Sequence, residues 1–416
     1  MMLVYILALA AGVVSQGFPS TCPPVPSLSP NTTLGQCPTS FTVIGSELEP
    51  IHESVDAPTG LAVDRDSNVY LTYPRNGGVT PVNVVKATSF TSEEAWPNVA
   101  IQNCTAQQDP AECFINVQNV VLDALGQLWI LDSGIPPGAK AAISRGAKII
   151  AFSQNGETIR TYIVPDEFYY DSMNANDLRI NNTLGKGGYA FITDASNSGS
   201  LLAINLHDGS VRRRLHNTTV TKADANYVGS YNGEPIYIWN NTKKSYATTG
   251  ADGIALASGN LYWGVLASRR FYFISQEALI DDSLSDNEVL AAVQDPGELG
   301  SEQAGFTADD HGRLYMLASE QNAIYYVDTQ QSQITEEVNA TPLGGAGLVP
   351  TEDYVVKTWL RSGLIQHADS AAILDGWLYF CTNQLELGPQ RQYKNVDARR
   401  GPFRSYRSWI GRGPAL

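Results

Sequence analysis

The sequence has 416 residues, enough for two or three ordinary domains or one large repeat architecture. Its 27 Lys and Arg face 42 Asp and Glu, a formal charge of −15, which argues against a nucleic-acid partner because a polyanionic backbone needs basic neutralisation. Hydrophobic residues at 43% exclude a disordered chain, and 36 glycines with 22 prolines, about one residue in seven, favour a turn-rich all-β protein.

Residues 1–16 read as a signal peptide. Leu3, Ile6, Leu7, Leu9 and Val13 form an apolar stretch too short to span a bilayer, and Ser15, Gln16 and Gly17 follow it. No later segment is apolar for long enough to cross a membrane, so a soluble, secreted protein is expected, with an N-terminal extension over 17–39. Sequons at Asn31, Asn103, Asn181, Asn217, Asn240 and Asn339 fit a glycosylated surface. In an oxidising compartment the simplest cysteine pairing is Cys22–Cys37 and Cys104–Cys113, which leaves Cys381 as a buried thiol in a strand. No spacing of Cys or His suggests a zinc site.

One phrase returns along the chain: an apolar run, a polar turn, then a strand rich in aromatic residues. Its copies begin at Gly60, Asn119, Asp177, Gly253, Gly305 and Ala371, about 50 to 75 residues apart. Each copy reads as a β-hairpin, and Leu201–Asn205, Phe271–Ile274 and Ala323–Val327 add a third strand to three of them. Six such units predict a six-bladed β-propeller over 40–416. Ser40–Ile44 and Phe403–Ile410 are the expected closing strands, with Arg391, Lys394, Arg399, Arg400, Arg404, Arg407 and Arg412 as cations protecting a solvated edge.

Residues just before each apolar run should line one mouth of the axis. They are Thr59, Gln118, Asn176, Asp177, Asp252, Gln303 and Asp369, with Asn383 following the last hairpin. Converging carboxylates would raise one another's pKa and supply a general acid or base, or would favour a cationic amine or a metal ion. A lactonase-type divalent metal, such as calcium on the axis, could use Asn176 and Asp252, but Thr59 stands where such propellers carry a Glu. Asp132 and Asp194 are equally readable as turn caps, and His207 and His311 as exposed turn residues. Only His367, two residues before Asp369, is placed for proton transfer. Serine-hydrolase, P-loop and dinucleotide fingerprints are absent.

Thr249-Gly-Ala-Asp-Gly-Ile-Ala-Leu256, running on through Leu261-Tyr-Trp263 to Phe271-Tyr-Phe-Ile-Ser275, resembles the major royal jelly protein / yellow family. Leu128-Trp-Ile-Leu-Asp-Ser-Gly134, Asn383-Gln-Leu385 and Pro402-Phe-Arg404 support the resemblance. It implies a secreted propeller with a ligand tunnel at its axis. Members of that family are linked to pigment chemistry or to binding of serotonin-like amines.

Together these features predict a secreted propeller that takes an aromatic, phenolic or quinonoid metabolite in its axial pocket. The expected chemistry is a cofactor-free tautomerisation, dehydration or cyclisation, with Asp252 and Asp369 as the acid/base pair. Thr59, Gln118, Asn176, Asp177, Gln303 and Asn383 would contact the substrate. The alternatives are a non-catalytic carrier of amines, a metal-dependent lactonase-like hydrolase, or a structural glycoprotein.

Overall fold

The Asp that ends the repeated apolar run is a hairpin lock. Asp64 Oδ1 accepts the amides of Asp66 (3.0 Å) and Asn68 (2.9 Å), while Oδ2 accepts the Tyr70 hydroxyl at 2.8 Å. Asp123 does the same with the amides of Leu125 (2.9 Å) and Gln127 (2.8 Å) and the Trp129 indole N–H (2.9 Å). Asp309 repeats it with His311, Arg313 and the Tyr315 hydroxyl. One carboxylate thus closes the turn and anchors the aromatic ring of the next strand.

The computed structural model describes residues 43–76, 80–168, 173–332 and 347–415. The chain divides into a unit Met1–Phe41, outside the described residues, and a unit Thr42–Leu416. The second unit is a six-bladed β-propeller. Blade I holds strands Gly60–Val63, Val69–Thr72, Val84–Ala87 and Glu93–Ala95. Blade II holds Val117–Leu122, Leu128–Asp132, Lys148–Phe152 and Thr158–Ile163, and blade III holds Ala175–Asn181, Tyr189–Asp194, Ser200–Asn205 and Val211–Arg214. Blade IV has Ala251–Ala257, Asn260–Val265 and Phe271–Ser275, followed by helices Gln276–Ile280 and Asp286–Ala292. Blade V runs through Gln303–Ala308, Arg313–Ala318, Ala323–Asp328 and Lys357–Arg361, and blade VI through Ala368–Leu374, Trp377–Thr382 and Phe403–Trp409. The first strand of each blade packs against the first strand of the next, and that of blade VI against that of blade I, which closes the ring.

The core lies between blades. Trp129, Leu131 and Ile149 of blade II pack on Leu178, Ile192 and Leu202 of blade III. Phe191 and Leu201 meet Ile254, Trp263 and Ile274 across the next gap. Similar layers join blades I to II, IV to V and VI to I. Each sheet is therefore buried on both faces, which is why its strands read as nearly continuous apolar runs.

Two expectations are corrected. The N-terminal closing strand is Glu49–Ser54, paired with Phe403–Trp409 as the outermost strand of blade VI. Ile44–Gly45, at the end of the expected strand, instead pairs with Leu360 and Arg361 at the edge of blade V. Nor does the basic C-terminal region protect an edge: Phe403–Trp409 is internal, and Arg404 and Arg407 form cross-strand ion pairs with Glu53 (2.7 Å) and Glu49 (2.8 Å). Arg391 is buried on Glu302, and Arg412 lies against Asp309.

Cys104 and Cys113 form a disulfide, whereas Cys22 and Cys37 lie outside the described residues. Cys381 is buried and free. No helix among the described residues is long and apolar enough to cross a membrane.

The hairpin lock is directly testable. Asp123→Ala strands four donors, the Asn182 side-chain amide included, and should lower the unfolding free energy by about 1–3 kcal/mol, read from urea melts followed by Trp129 fluorescence. A loss below about 0.5 kcal/mol would show that the turn does not depend on the carboxylate.

Candidate functional site

Inner strands of five blades break register where they begin. The irregularities fall between Val117 and Asn119, Ala175 and Leu178, Ala251 and Ile254, Gln303 and Phe306, and Ala368 and Ala371. Only blade I starts without one, Gly60 pairing regularly with Thr72. A bulge re-aims side chains, and the residues inside these are Gln118, Asn176 with Asp177, Asp252 with Gly253, Ala304 with Gly305, and Asp369 with Ser370. Neighbouring strands approach closely here: a Cβ on Gly253 would lie 2.7 Å from the Ala304 carbonyl, and one on Gly305 would collide with that of Asp369.

The three aspartates converge at this mouth. Asp252 Oδ1 accepts Asn176 Nδ2 at 2.7 Å, and Asp369 accepts the Asn383 amide. Asp177 accepts the Leu178 amide at 3.0 Å and the Asn119 amide, with Arg179 at 3.4 Å. Burial pushes the Asp177 carboxyl up to about 6 against the pull of Arg179. It pushes Asp369 up to about 6 as well, partly offset by His367 and the Asn383 hydrogen bond. Asp252 is held well above the usual carboxylate range by burial, to which the charge of Asp369, Asp177 and Glu302 adds. Asp369 keeps some accessible surface although protein surrounds it.

Beside them lies a second polar group. His367 Nδ1 is 2.6 Å from Glu386 Oε1, and Arg391 donates to Glu302 at 3.0 Å. Burial alone would neutralise His367 and Glu386, but their mutual attraction wins, so His367 is raised and Glu386 lowered. Arg391 is carried by a segment that packs against the hairpin Ile238–Asn240/Lys243–Ser245, where Lys394 N donates to the Asn241 carbonyl (2.8 Å) and Tyr393 meets the Trp239 ring. Five buried carboxylates thus face two guanidinium groups and one imidazole.

Other expected contacts are placed differently. Thr59 Oγ1 donates to the Gln118 carbonyl at 2.8 Å, a joint between blades I and II. The Gln118 side chain is held by Asn76 and Asn116. Gln303 turns away to the Arg270 carbonyl at 2.9 Å, because the hairpin register makes Ala304 the equivalent of Asp252 and Asp369. Asp132 and Asp194 are structural: Asp132 accepts the amides of Ile115, Asn116 and Gly134 and pairs with buried Lys148 at 2.8 Å, while Asp194 accepts those of Asn174 and Ser196. His207 and His311 are exposed.

Sequence reasoning missed Glu302, Glu386 and Arg391. Yet Glu302 and His367 are repeat equivalents, since their carbonyls accept the amides of Ser319 (3.0 Å) and Asn383 (3.1 Å) at matching points of blades V and VI. The lactonase-type calcium set does not fit, because Thr59 spends its hydroxyl on Gln118 and Asn176 is a donor to Asp252.

Arg179 reaches from blade III across the axis to the Phe306 carbonyl of blade V at 2.5 Å. Beyond it a cavity of about 230 Å³ opens at the opposite mouth, lined by Leu61, Val121, Leu256, Ile373 and the C-terminal Pro414–Ala415.

The family model described as major royal jelly protein matches residues 115–357, more than half the chain. The chain belongs to the major royal jelly protein family. No curated protein matches the sequence of this family member. Among solved structures, a luciferin-regenerating enzyme is similar at 13% identity over 89% of this chain and 97% of its own, with a TM-score of 0.48. A gluconolactonase from Xanthomonas campestris aligns at 10% identity over 88% and 90%, with a TM-score of 0.45. The calcium-binding regucalcin of Agrobacterium tumefaciens aligns at 9% over 88% and 94%, with a TM-score of 0.44.

In this member of the family the buried aspartates carry a pH signature. A carboxyl raised in the folded state contributes stability that is complete below the unfolded pKa of 3.8 and lost as pH climbs through the folded value, about 6 for Asp177. Asp252→Asn keeps an acceptor for Asn176 and removes a disfavoured charge. Its melting temperature should exceed that of the wild type by a few degrees at pH 7.5, and the gap should close toward pH 4. A gap independent of pH would contradict the convergence.

Proposed function

We propose that this protein binds an aromatic, phenolic or quinonoid small molecule at the acidic mouth and rearranges it by proton transfer, without a redox cofactor. The observation that carries the reading is the meeting of Asp177, Asp252 and Asp369, all raised by burial, Asp177 and Asp369 to about 6. Such groups exchange protons with substrate at working pH. Asp252, whose proton burial and the neighbouring carboxylates help to retain, delivers a proton to a carbonyl or leaving oxygen, and Asp369 takes one from carbon or a hydroxyl. Asn176 and Asn383 fix the two carboxyl groups, and the hydrogen bonds that orient them cost no reorganisation at the moment of transfer. Tautomerisation, dehydration and cyclisation all need this positioned acid and base.

The test is turnover of a panel of quinonoid and phenolic substrates by the full-length protein. Asp252→Asn should lower kcat by about 10²- to 10⁴-fold with little change in binding. Intact turnover in that variant would overturn the acid/base role.

The excess of carboxylates over guanidinium groups favours a second reading, a non-catalytic amine carrier. Calorimetry with biogenic amines separates the two. A carrier should bind an amine without turning over any panel member, and more weakly as pH falls below about 6, where Asp177 takes up its proton.

We also infer secretion as a glycoprotein, from the apolar start of the chain, its sequons, the Cys104–Cys113 disulfide and the family. Asn103, Asn217 and Asn240 are exposed, whereas Asn181 donates its Nδ2 to Gln276 at 2.7 Å. Asn31 and Asn339 lie outside the described residues. Peptide mapping after expression in a secretory host should find glycan at Asn103, Asn217 and Asn240 and leave Asn181 bare.

A further inference from the structure

We infer that Glu302, His367 and Glu386 form a binding site for a divalent transition-metal ion, independent of the acid–base chemistry proposed above. One ligand atom from each residue lies within 4.8 Å of the others, and all three residues are buried. Metal ligands about 2.1 Å from a common tetrahedral centre stand roughly 3.4 Å apart, inside the 4.8 Å within which these three ligand atoms lie.

Two further observations point to a missing partner. His367 Nε2 and Glu386 Oε2 have no hydrogen-bond partner, although the residues are 0% and 2% exposed. Buried polar atoms left in that state cost free energy, and native structures rarely leave them so. Carboxylates also outnumber the cations there, since Asp252 stands near Glu302, and Asp369 near His367 and Glu386, against the single guanidinium of Arg391. His367 itself holds a left-handed backbone at φ +53°, a conformation that a non-glycine residue keeps only where its surroundings impose it.

The donor set selects the ion. One imidazole nitrogen with two carboxylates suits zinc, cobalt or manganese, whereas calcium seeks six or more oxygens. Arg391 at 3.0 Å and the Tyr227 hydroxyl at 3.2 Å orient Glu302 from outside the set, as outer partners of metal-binding carboxylates do. On binding, the imidazole gives up one ring proton to solvent, so that the nitrogen facing the ion presents a lone pair. The guanidinium charge of Arg391 beside the site weakens cation binding.

The experiment uses the full-length protein, stripped with EDTA and titrated with Zn²⁺, Co²⁺ and Ca²⁺ by calorimetry, Co²⁺ absorption and melting. Uptake of a single Zn²⁺ or Co²⁺, a d–d band and a raised melting temperature are expected, with no response to Ca²⁺. His367→Gln and Glu386→Gln should each weaken uptake at least about tenfold, while Asp252→Asn retains it. Should those variants fail to fold, Glu302→Gln, which keeps an acceptor for Arg391, provides the same reading. No uptake by the wild type, uptake untouched by these substitutions, or a chamber holding only ordered water in a crystal grown with Zn²⁺ would overturn the site.

Discussion

Burial of like charge at one end of the axis is the interaction on which the rest of this molecule turns. Carboxylates taken out of water repel one another and lose hydration, so each needs donors, a guanidinium or a proton. The structure answers with all three: Asn119, Asn176 and Asn383 donate, Arg179 and Arg391 stand alongside, and burial raises the carboxyls of Asp177 and Asp369 to about 6, so that they hold protons more readily. The bulges create this situation. A regular ladder would alternate side chains evenly, whereas one extra residue at the start of an inner strand shifts the alternation where the axis begins.

How much of this was legible in the sequence depended on how local the cause was. The propeller was readable because its hairpin lock is short-range: Asp64 and Tyr70, Asp123 and Trp129, and Asp309 and Tyr315 are each six residues apart. Asp252 and Asp369 could be picked out by the repeat period alone. Gln303 was off by one, since a bulge changes register without leaving a mark in composition. Glu386 and Arg391 were beyond reach for another reason. They belong to an insertion that has no counterpart in the other blades, so no period points to them. The closing strand was misplaced because Ser40–Ile44 has the stronger β-forming composition, while Glu49–Ser54 is chosen by ion pairs to residues more than three hundred positions away.

The axis is chemically divided. Arg179 spans it between the acidic mouth and a mostly apolar cavity that also holds Arg65, Asp123 and Asn182, and its guanidinium is tied to backbone carbonyls of blades III and V as well as to Asp177. The same fold hosts many chemistries, so this division, rather than the wheel of blades, distinguishes the molecule.

The pairing of Glu49–Ser54 with Phe403–Trp409 has a consequence for biosynthesis. Blade VI, which contributes His367 and Asp369, waits for a strand made at the start of translation to find one made almost at the end. Until those two segments meet, blade VI lacks its outermost strand, so a truncation that removes either of them leaves the seam of the wheel open.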